Sequence, residues 1–281
     1  MNDPNGAQTE YWSSAAGLKW IEHEKALDTA MEGMLAVVLA AAEIGEDDRV
    51  LDIGCGTGAS TLAAARSALK GKVVGVDISE PLLCRARRRS AEAEVRNVSF
   101  LLADAQTHRF PARGFDVLVS RIGMSFFSDA VAALVNLAAA MRAGGRMAFV
   151  SWAGIGENPW FEIPKVAAEG RLGELPESDP AAPGPTAFQD VDRVAALMKQ
   201  AGLGAVAAKP LEILLTPPGG VIGASRAASR VGPAARVMKA FDGNPSDALV
   251  IEEAVAKAFL KFEQCGEVRV PARVNLFSCT V

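Results

Sequence analysis

Residues 50–58, VLDIGCGTG, constrain this chain more than any other stretch. Val50, Leu51 and Ile53 read as the end of a buried strand. The glycines at 54, 56 and 58 then demand a turn so tight that a ligand can lie directly on the backbone. Good helix formers follow over 59–69, so the unpaired amides of that helix's first turn point at whatever fills the turn. Strand, glycine turn and helix in this order predict a nucleotide cradle at the carboxyl edge of a sheet.

The same unit recurs along the chain. Residues 1–10 read as a loose terminus, followed by Tyr11, Trp12 and Trp20 and by helices over about 18–31 and 34–44. These helices either cover the mouth of the cradle or pack their aromatics onto the core. After the first strand and helix, VVGVD ends a second strand at Asp77, and Pro81 opens a helix reaching to about 94. Strands are predicted over 98–102, 115–120 and 147–152. Between the last two, a helix with apolar residues at 131, 134, 135, 138 and 141 stops at Gly144-Gly145. The rhythm breaks beyond Trp152, where proline and glycine gather over 153–187. This stretch reads as an insertion or lid, with a short helix near 160–169. A helix over 190–201, a strand over 206–215, two or three helices near 219–230, 233–242 and 246–264, and a final strand over 268–281 complete the chain. The pattern predicts an α/β fold with a doubly wound parallel sheet. It is read as one domain, 1–281: a helical cap at 11–45, a binding core at 46–152, the insertion at 153–187, and a C-terminal part at 188–281 carrying a helical insertion at 219–264.

Composition narrows the partners. Half of the 281 residues are apolar, enough for a large core. The longest apolar run, 34–42, falls well short of the roughly 18 residues a membrane span needs. The first twenty residues carry Asp3 and Glu10 and lack a basic start before an apolar core, so no leader is expected and the cytoplasm is the expected site. A net charge of −4 gives no pull toward nucleic acid, and the arginines at 85, 87, 88 and 89 read as a solvated helix face. The cysteines at 55, 84, 265 and 279 form no CxxC pair and neighbour no histidine cluster, so no metal site is expected. A small molecule is the expected partner, and oligomeric state is left open.

Two ligand classes compete for the glycine turn. Gly54, Gly56 and Gly58 with Ala59 formally satisfy a dinucleotide fingerprint, and Asp77 at the end of the second strand suits any ribose with two free hydroxyls. Asp52 separates the classes. A carboxylate two positions before the first glycine repels the pyrophosphate of NAD, whereas S-adenosyl-L-methionine lacks phosphate and carries an ammonium and a sulfonium. Asp104, after the third strand, is placed to accept from an exocyclic amine or is an ordinary loop residue.

With VLDIGCGTG at 50–58, VVGVDIS at 73–79, LLADAQTHRFP at 101–111, FDVLVSRIGMSFFSD at 115–129 and RAGGRMAFVSW at 142–152, the chain resembles the class I S-adenosylmethionine-dependent methyltransferases. It looks most like the bacterial branch near the ubiquinone/menaquinone C-methyltransferases. Tyr11-Trp12-Ser13-Ser14 stands where that branch often has a YWN-type start, and Glu157-Asn158-Pro159-Trp160 matches its ENPW segment. The resemblance implies a Rossmann-like, seven-stranded, mostly parallel sheet with its last strand antiparallel and helical insertions after strands 5 and 6. It implies S-adenosyl-L-methionine as cofactor, S-adenosyl-L-homocysteine as product, and a methyl group moved to a small-molecule acceptor, quinone-like or from secondary metabolism. The cofactor contacts expected are Trp12, Trp20, Asp52, Gly54, Cys55, Gly56, Gly58, Asp77, Ile78, Asp104, Ala105 and Arg121, with Arg121 and Ile122 bordering the methyl.

Methyl transfer from a sulfonium is an in-line displacement with a neutral leaving group, so alignment and exclusion of water are the main requirements. His23 is the candidate general base for an acceptor that still carries its proton, while His108 reads as a local hydrogen-bonding residue. Either histidine also suits a purely structural role. Phe126, Phe127, Trp152, Trp160 and Phe161 are the candidate acceptor-pocket residues, with core packing an equal account of Phe126 and Trp152. An NAD-dependent oxidoreductase, or a sensor or scaffold that binds the cofactor without turnover, are the other functions the chain admits.

Overall fold

The computed structural model describes residues 4–176 and 179–281. Four helices come first: α1 (Gly6–Ser13), α2 (Ala15–Glu22), α3 (Glu24–Ala30) and α4 (Glu32–Ala42). The core alternates strand and helix: β1 (Arg49–Ile53), α5 (Ala59–Ser67), β2 (Lys72–Asp77), α6 (Glu80–Glu92), β3 (Val98–Leu102), β4 (Phe115–Arg121), α7 (Ala130–Ala140) and β5 (Met141–Trp152). Then follow α8 (Pro159–Leu172), α9 (Val191–Gln200), β6 (Gly204–Leu215), α10 (Gly220–Arg230), α11 (Pro233–Ala240), α12 (Pro245–Phe259) and β7 (Val270–Thr280). A two-stranded ribbon, Glu263–Gln264 against Glu267–Val268, leads into β7.

The seven-stranded sheet has the order β3-β2-β1-β4-β5-β7-β6, and β7 runs antiparallel to both of its neighbours. The order reverses direction between β1 and β4, and such a switch opens a crevice at the carboxyl ends of the strands. Strand alternation splits the core into two layers. Val50, Val117, Val119, Ala148 and Val150 face the helices of the N-terminal cap, α8 and α10 to α12. Leu51, Ile53, Leu118, Phe149 and Phe277 face α7 and α9. Among the described residues no helix is long and apolar enough to cross a membrane.

Several boundaries differ from the sequence reading. Within 1–10, expected to be loose, α1 already begins at Gly6, and the buried Asn5 anchors it. The single helix expected over 18–31 is broken at His23, which ends α2 and precedes α3 with φ −101° and ψ 9°. That break turns Glu24 and Leu27 inward. Gly144-Gly145 does not stop α7: the helix ends at Ala140, and the glycines lie inside β5. Gly144, at φ +72°, absorbs the register slip between the pairs Phe115–Met141 and Val117–Arg146. The last long helix ends at Phe259 and not near 264. The 153–187 stretch, which includes 177 and 178 outside the described residues, contributes α8 to the core through Trp160, Phe161 and Ala168.

Candidate active site

The glycine turn is built by backbone geometry. Gly54, Gly56 and Gly58 have φ of +64°, +54° and +88°, values that L side chains rarely adopt. Gly54 sits against Gly123, the residue two positions after β4. A Cβ on Gly54 meets Gly123 Cα at 2.6 Å, and one on Gly123 meets the Ile53 carbonyl at 2.5 Å. Neither position accepts a side chain. Gly56 is different, because a Cβ there meets nothing within 4 Å and points into the open cradle.

Strand period puts Asp52 on the face of β1 that lies beneath α5. Its Oδ2 accepts from Ser60 Oγ at 2.7 Å and Thr61 Oγ1 at 2.6 Å, while the buried Oδ1 has no partner. Burial pushes the Asp52 carboxyl up to about 6, opposed by the two hydroxyls and by the positive charge of Arg121. Arg121 ends β4. Its Nη2 donates to Asp28 Oδ1 at 2.8 Å, and its buried Nη1 is unpartnered. One carboxylate oxygen and one guanidinium nitrogen of opposite charge are thus left unpaired where the first and fourth strands end.

Asp77 holds the turn together. Its Oδ2 accepts from Gly56 N at 2.8 Å and its Oδ1 from Ser79 N at 2.9 Å. Burial raises its carboxyl, and these backbone donors, with that of Ile78, oppose the rise. Ile78 is half-buried beside it. The Cys55 thiol is driven well above its ordinary range by burial and then by Asp77 and Asp52, so it is a neutral packing group.

At the third strand end, Ala105 is buried and Asp104 is half-buried. Asp104 meets a residue the sequence reading did not single out: Asn5 Nδ2 donates to both of its carboxylate oxygens at 3.1 Å and to Gln106 Oε1 at 3.0 Å. Asn5 Oδ1 in turn accepts from Ser128 N at 2.9 Å. The helical cap is therefore tied across the carboxyl edge. Ser79 Oγ adds a bond to the Trp12 carbonyl at 2.8 Å.

The structure brings Trp12, Trp20 and Phe126 together. Trp12 meets Trp20 edge-on at 5.9 Å and Phe126 at 5.5 Å, forming an aromatic chain from α2 to the turn that holds Gly123. It separates the other aromatics. Trp152 packs on Phe161 at 4.6 Å, and Trp160 stacks on Phe259 at 6.2 Å, all four buried in the core. Phe127 leans on the opposite core layer from Phe126. The ENPW segment is structural: the fully buried Asn158 donates to the carbonyls of Gly154 and Arg273 and accepts from Arg273 N, pinning α8 to β7.

The arginine run on α6 is divided: Arg87 and Arg88 are exposed, as expected of a solvated face, while Arg85 and Arg89 turn inward. Arg85 pairs with the buried Glu24 of α3, and Arg89 reaches Asp28 at 2.8 Å and the Thr57 hydroxyl at 3.0 Å. Asp28 thus bridges Arg89 and Arg121. His23 lies at the α2–α3 junction, beside Glu24. His108 packs edge-on against Phe110.

Known proteins resemble this chain in the sequence of its core and in its fold. Residues 50–145 match the family model described as a methyltransferase domain. The aklanonic acid methyltransferase of Streptomyces sp. strain C5 is 43% identical over 105 residues, 37% of this chain and 48% of that protein. The demethylmenaquinone methyltransferase of Thermus thermophilus is 35% identical over 135 residues, 48% of this chain and 54% of that protein. The chain spans about half the length of the curated relatives it matches. In fold it is similar to the YcgJ protein of Bacillus subtilis, with a TM-score of 0.57 and 20% identity, covering 89% of this chain and 98% of that one. Residues 50–145 accordingly resemble a methyltransferase domain, set in a fold shared with the YcgJ protein.

Proposed function

We propose that the chain transfers a methyl group from S-adenosyl-L-methionine to a small-molecule acceptor. The observation that carries this reading is the unlike pair of buried, unpartnered atoms, Asp52 Oδ1 and Arg121 Nη1. A zwitterionic amino acid end satisfies both, and a pyrophosphate satisfies only the arginine. The open space over Gly56 gives that end a backbone to lie on.

When bound, S-adenosyl-L-methionine supplies an electrophilic methyl and leaves as S-adenosyl-L-homocysteine. The residues of the chain then have separable tasks. Asp52 and Arg121 hold the ammonium and carboxylate, and Gly54 to Gly58 keep side chains out of the way. Asp77, its carboxylate fixed by two backbone amides, receives the ribose hydroxyls. Asp104 receives the adenine amine alongside Asn5, with Ile78 and Ala105 flanking the base. Trp12, Trp20 and Phe126 close the mouth against water, which favours in-line attack over solvent access. His23 takes the proton of an acceptor that still carries one, and Phe126 and Phe127 bound the acceptor side. Trp152, Trp160 and Phe161 support that side from within the core.

Calorimetry with S-adenosyl-L-homocysteine and NAD tests the cradle. Binding of the sulfur ligand alone is expected, and NAD binding without it would overturn the reading. Turnover of methyl-labelled cofactor against a metabolite extract, read by mass spectrometry, then identifies the acceptor.

A further inference from the structure

Beyond the cradle, a cavity of about 390 Å³ opens between α2 and the helices α10, α11 and α12. Its volume falls in the range of small-molecule sites. Met238, Leu249 and Ile251 form apolar wall, while Lys19 and Arg230 bring two cations to it from different elements. Two acidic groups of those helices, Glu252 and Asp247, are already engaged, while Glu22, Asp242 and Glu253 are exposed to solvent. Glu252 accepts from Arg226 on one oxygen and from Arg230 Nη2 on the other, at 3.2 and 3.3 Å. Asp247 accepts from Arg171 Nε at 2.8 Å and from Asn244 N at 3.0 Å. Asn244 Oδ1 caps the first amides of α12, so the helix terminus is satisfied by its own chain.

What stays unsatisfied is positive. Arg230 Nε is buried without a partner, and Lys19 has no carboxylate paired to it among the described residues. A half-open, largely apolar cavity with one unmet donor and an exposed ammonium at its rim suits an anion on a hydrophobic frame. Lys19 also neighbours Trp20, whose ring begins the aromatic chain through Trp12 and Phe126 to the glycine turn. One helix therefore carries both the chamber's cation and the start of that chain.

We propose that this cavity binds an apolar monoanion, an aryl carboxylate or phenolate, with Lys19 and Arg230 receiving the charge, and that this anion is one end of the methyl acceptor. Identifying the occupant as the acceptor rests on the methyltransferase function proposed for the cradle; binding of the anion does not.

The probes are 2-naphthoate and its uncharged isostere 2-naphthamide, titrated calorimetrically into the full chain. Naphthoate is expected to bind about tenfold tighter than naphthamide, the scale of one good charge interaction. Lys19→Glu, a change at an exposed position, should remove that preference without altering the circular dichroism, and Arg230→Gln should weaken naphthoate alone. Affinity for S-adenosyl-L-homocysteine should be unchanged in both variants. Equal affinity for acid and amide, no binding of either, or acid binding indifferent to Lys19→Glu would overturn the site. Naphthoate binding with these dependences in a protein that ignores S-adenosyl-L-homocysteine would instead sink the cradle reading and keep the pocket. The acceptor found by the extract assay should carry an anionic group, with its KM raised about tenfold by Lys19→Glu at unchanged kcat. A neutral acceptor with an unaltered KM removes its assignment to this cavity.

Discussion

Asp52 shows how a buried carboxyl is kept at a cost to the fold. Its carboxyl lies at about 6 against an ordinary 3.8, chiefly because it is buried. With the folded pKa above the unfolded one, the native state binds the extra proton between these values. Stability is therefore lost as pH rises through that window. About two units correspond to roughly 3 kcal/mol at most. Asp52→Asn keeps an oxygen for Ser60 and Thr61 and removes the buried charge. It should flatten the stability profile between about pH 4 and 6 and raise the urea midpoint at pH 7.5, while binding of S-adenosyl-L-homocysteine falls. A variant with the wild-type pH slope would show that Asp52 is not the titrating group.

At Gly56 the space over Cα is open while φ is +54°. Gly56→Val should cost about 1–2 kcal/mol of backbone strain, leave the circular dichroism native, and abolish the thermal shift caused by S-adenosyl-L-homocysteine. The three glycines, Asp52 and Asp77 were legible in the sequence because each obeys a local rule of spacing or strand end. Gly123, Asn5 and Asp28 were not. Gly123 is required by contact with Gly54, 69 positions earlier in the chain, and nothing adjacent to it marks that approach.

At the scale of elements, strands and helices could be read wherever a clear apolar period met a stop. The reading failed where tertiary contact overrode the local signal. The residues over 18–31 support one helix, but Glu24 reaches Arg85 and Asp28 reaches Arg89 and Arg121 only because the chain breaks at His23. Gly144-Gly145 resembles a helix stop but serves as a slip inside β5. Asp28 is the joint between the cap and the core. Asp28→Ala leaves Arg121, with a side chain only 8% exposed, short of the ion-pair partner it has among the described residues. A loss of about 3 kcal/mol is expected, at the low end for breaking a buried pair because Asp28 and Arg89 are partly solvated. Hydrogen exchange should rise in α3 first, and exchange confined to other elements would show that the cap is held elsewhere.

For the whole molecule, β7 determines whether the sheet exists as one layer. It lies between β5 and β6 and buries Val270, Val274 and Phe277 completely, with Asn275 bonded to the carbonyls of Phe188 and Gln189. Each such apolar side chain contributes about 1.5–3 kcal/mol, so their loss, with two strand ladders lost beside them, is on the scale of the usual 5–15 kcal/mol of net stability. A chain ending at residue 269 should therefore lack a cooperative thermal transition. A sharp transition near that of the full protein would show that β1 to β5 fold without it.

The sequence by itself determined the glycine turn, the parallel strand–helix rhythm and the acidic residues at three successive strand ends. These follow from backbone sterics and from periods of two and 3.6 residues, which act between near neighbours. The tertiary structure alone decided which charges are left without partners. Asp52 Oδ1 and Arg121 Nη1 come from different strands, and Lys19 and Arg230 lie on helices separated by two hundred residues of chain. Whether a polar atom is satisfied depends on every group packed around it, and only the folded chain brings those groups together.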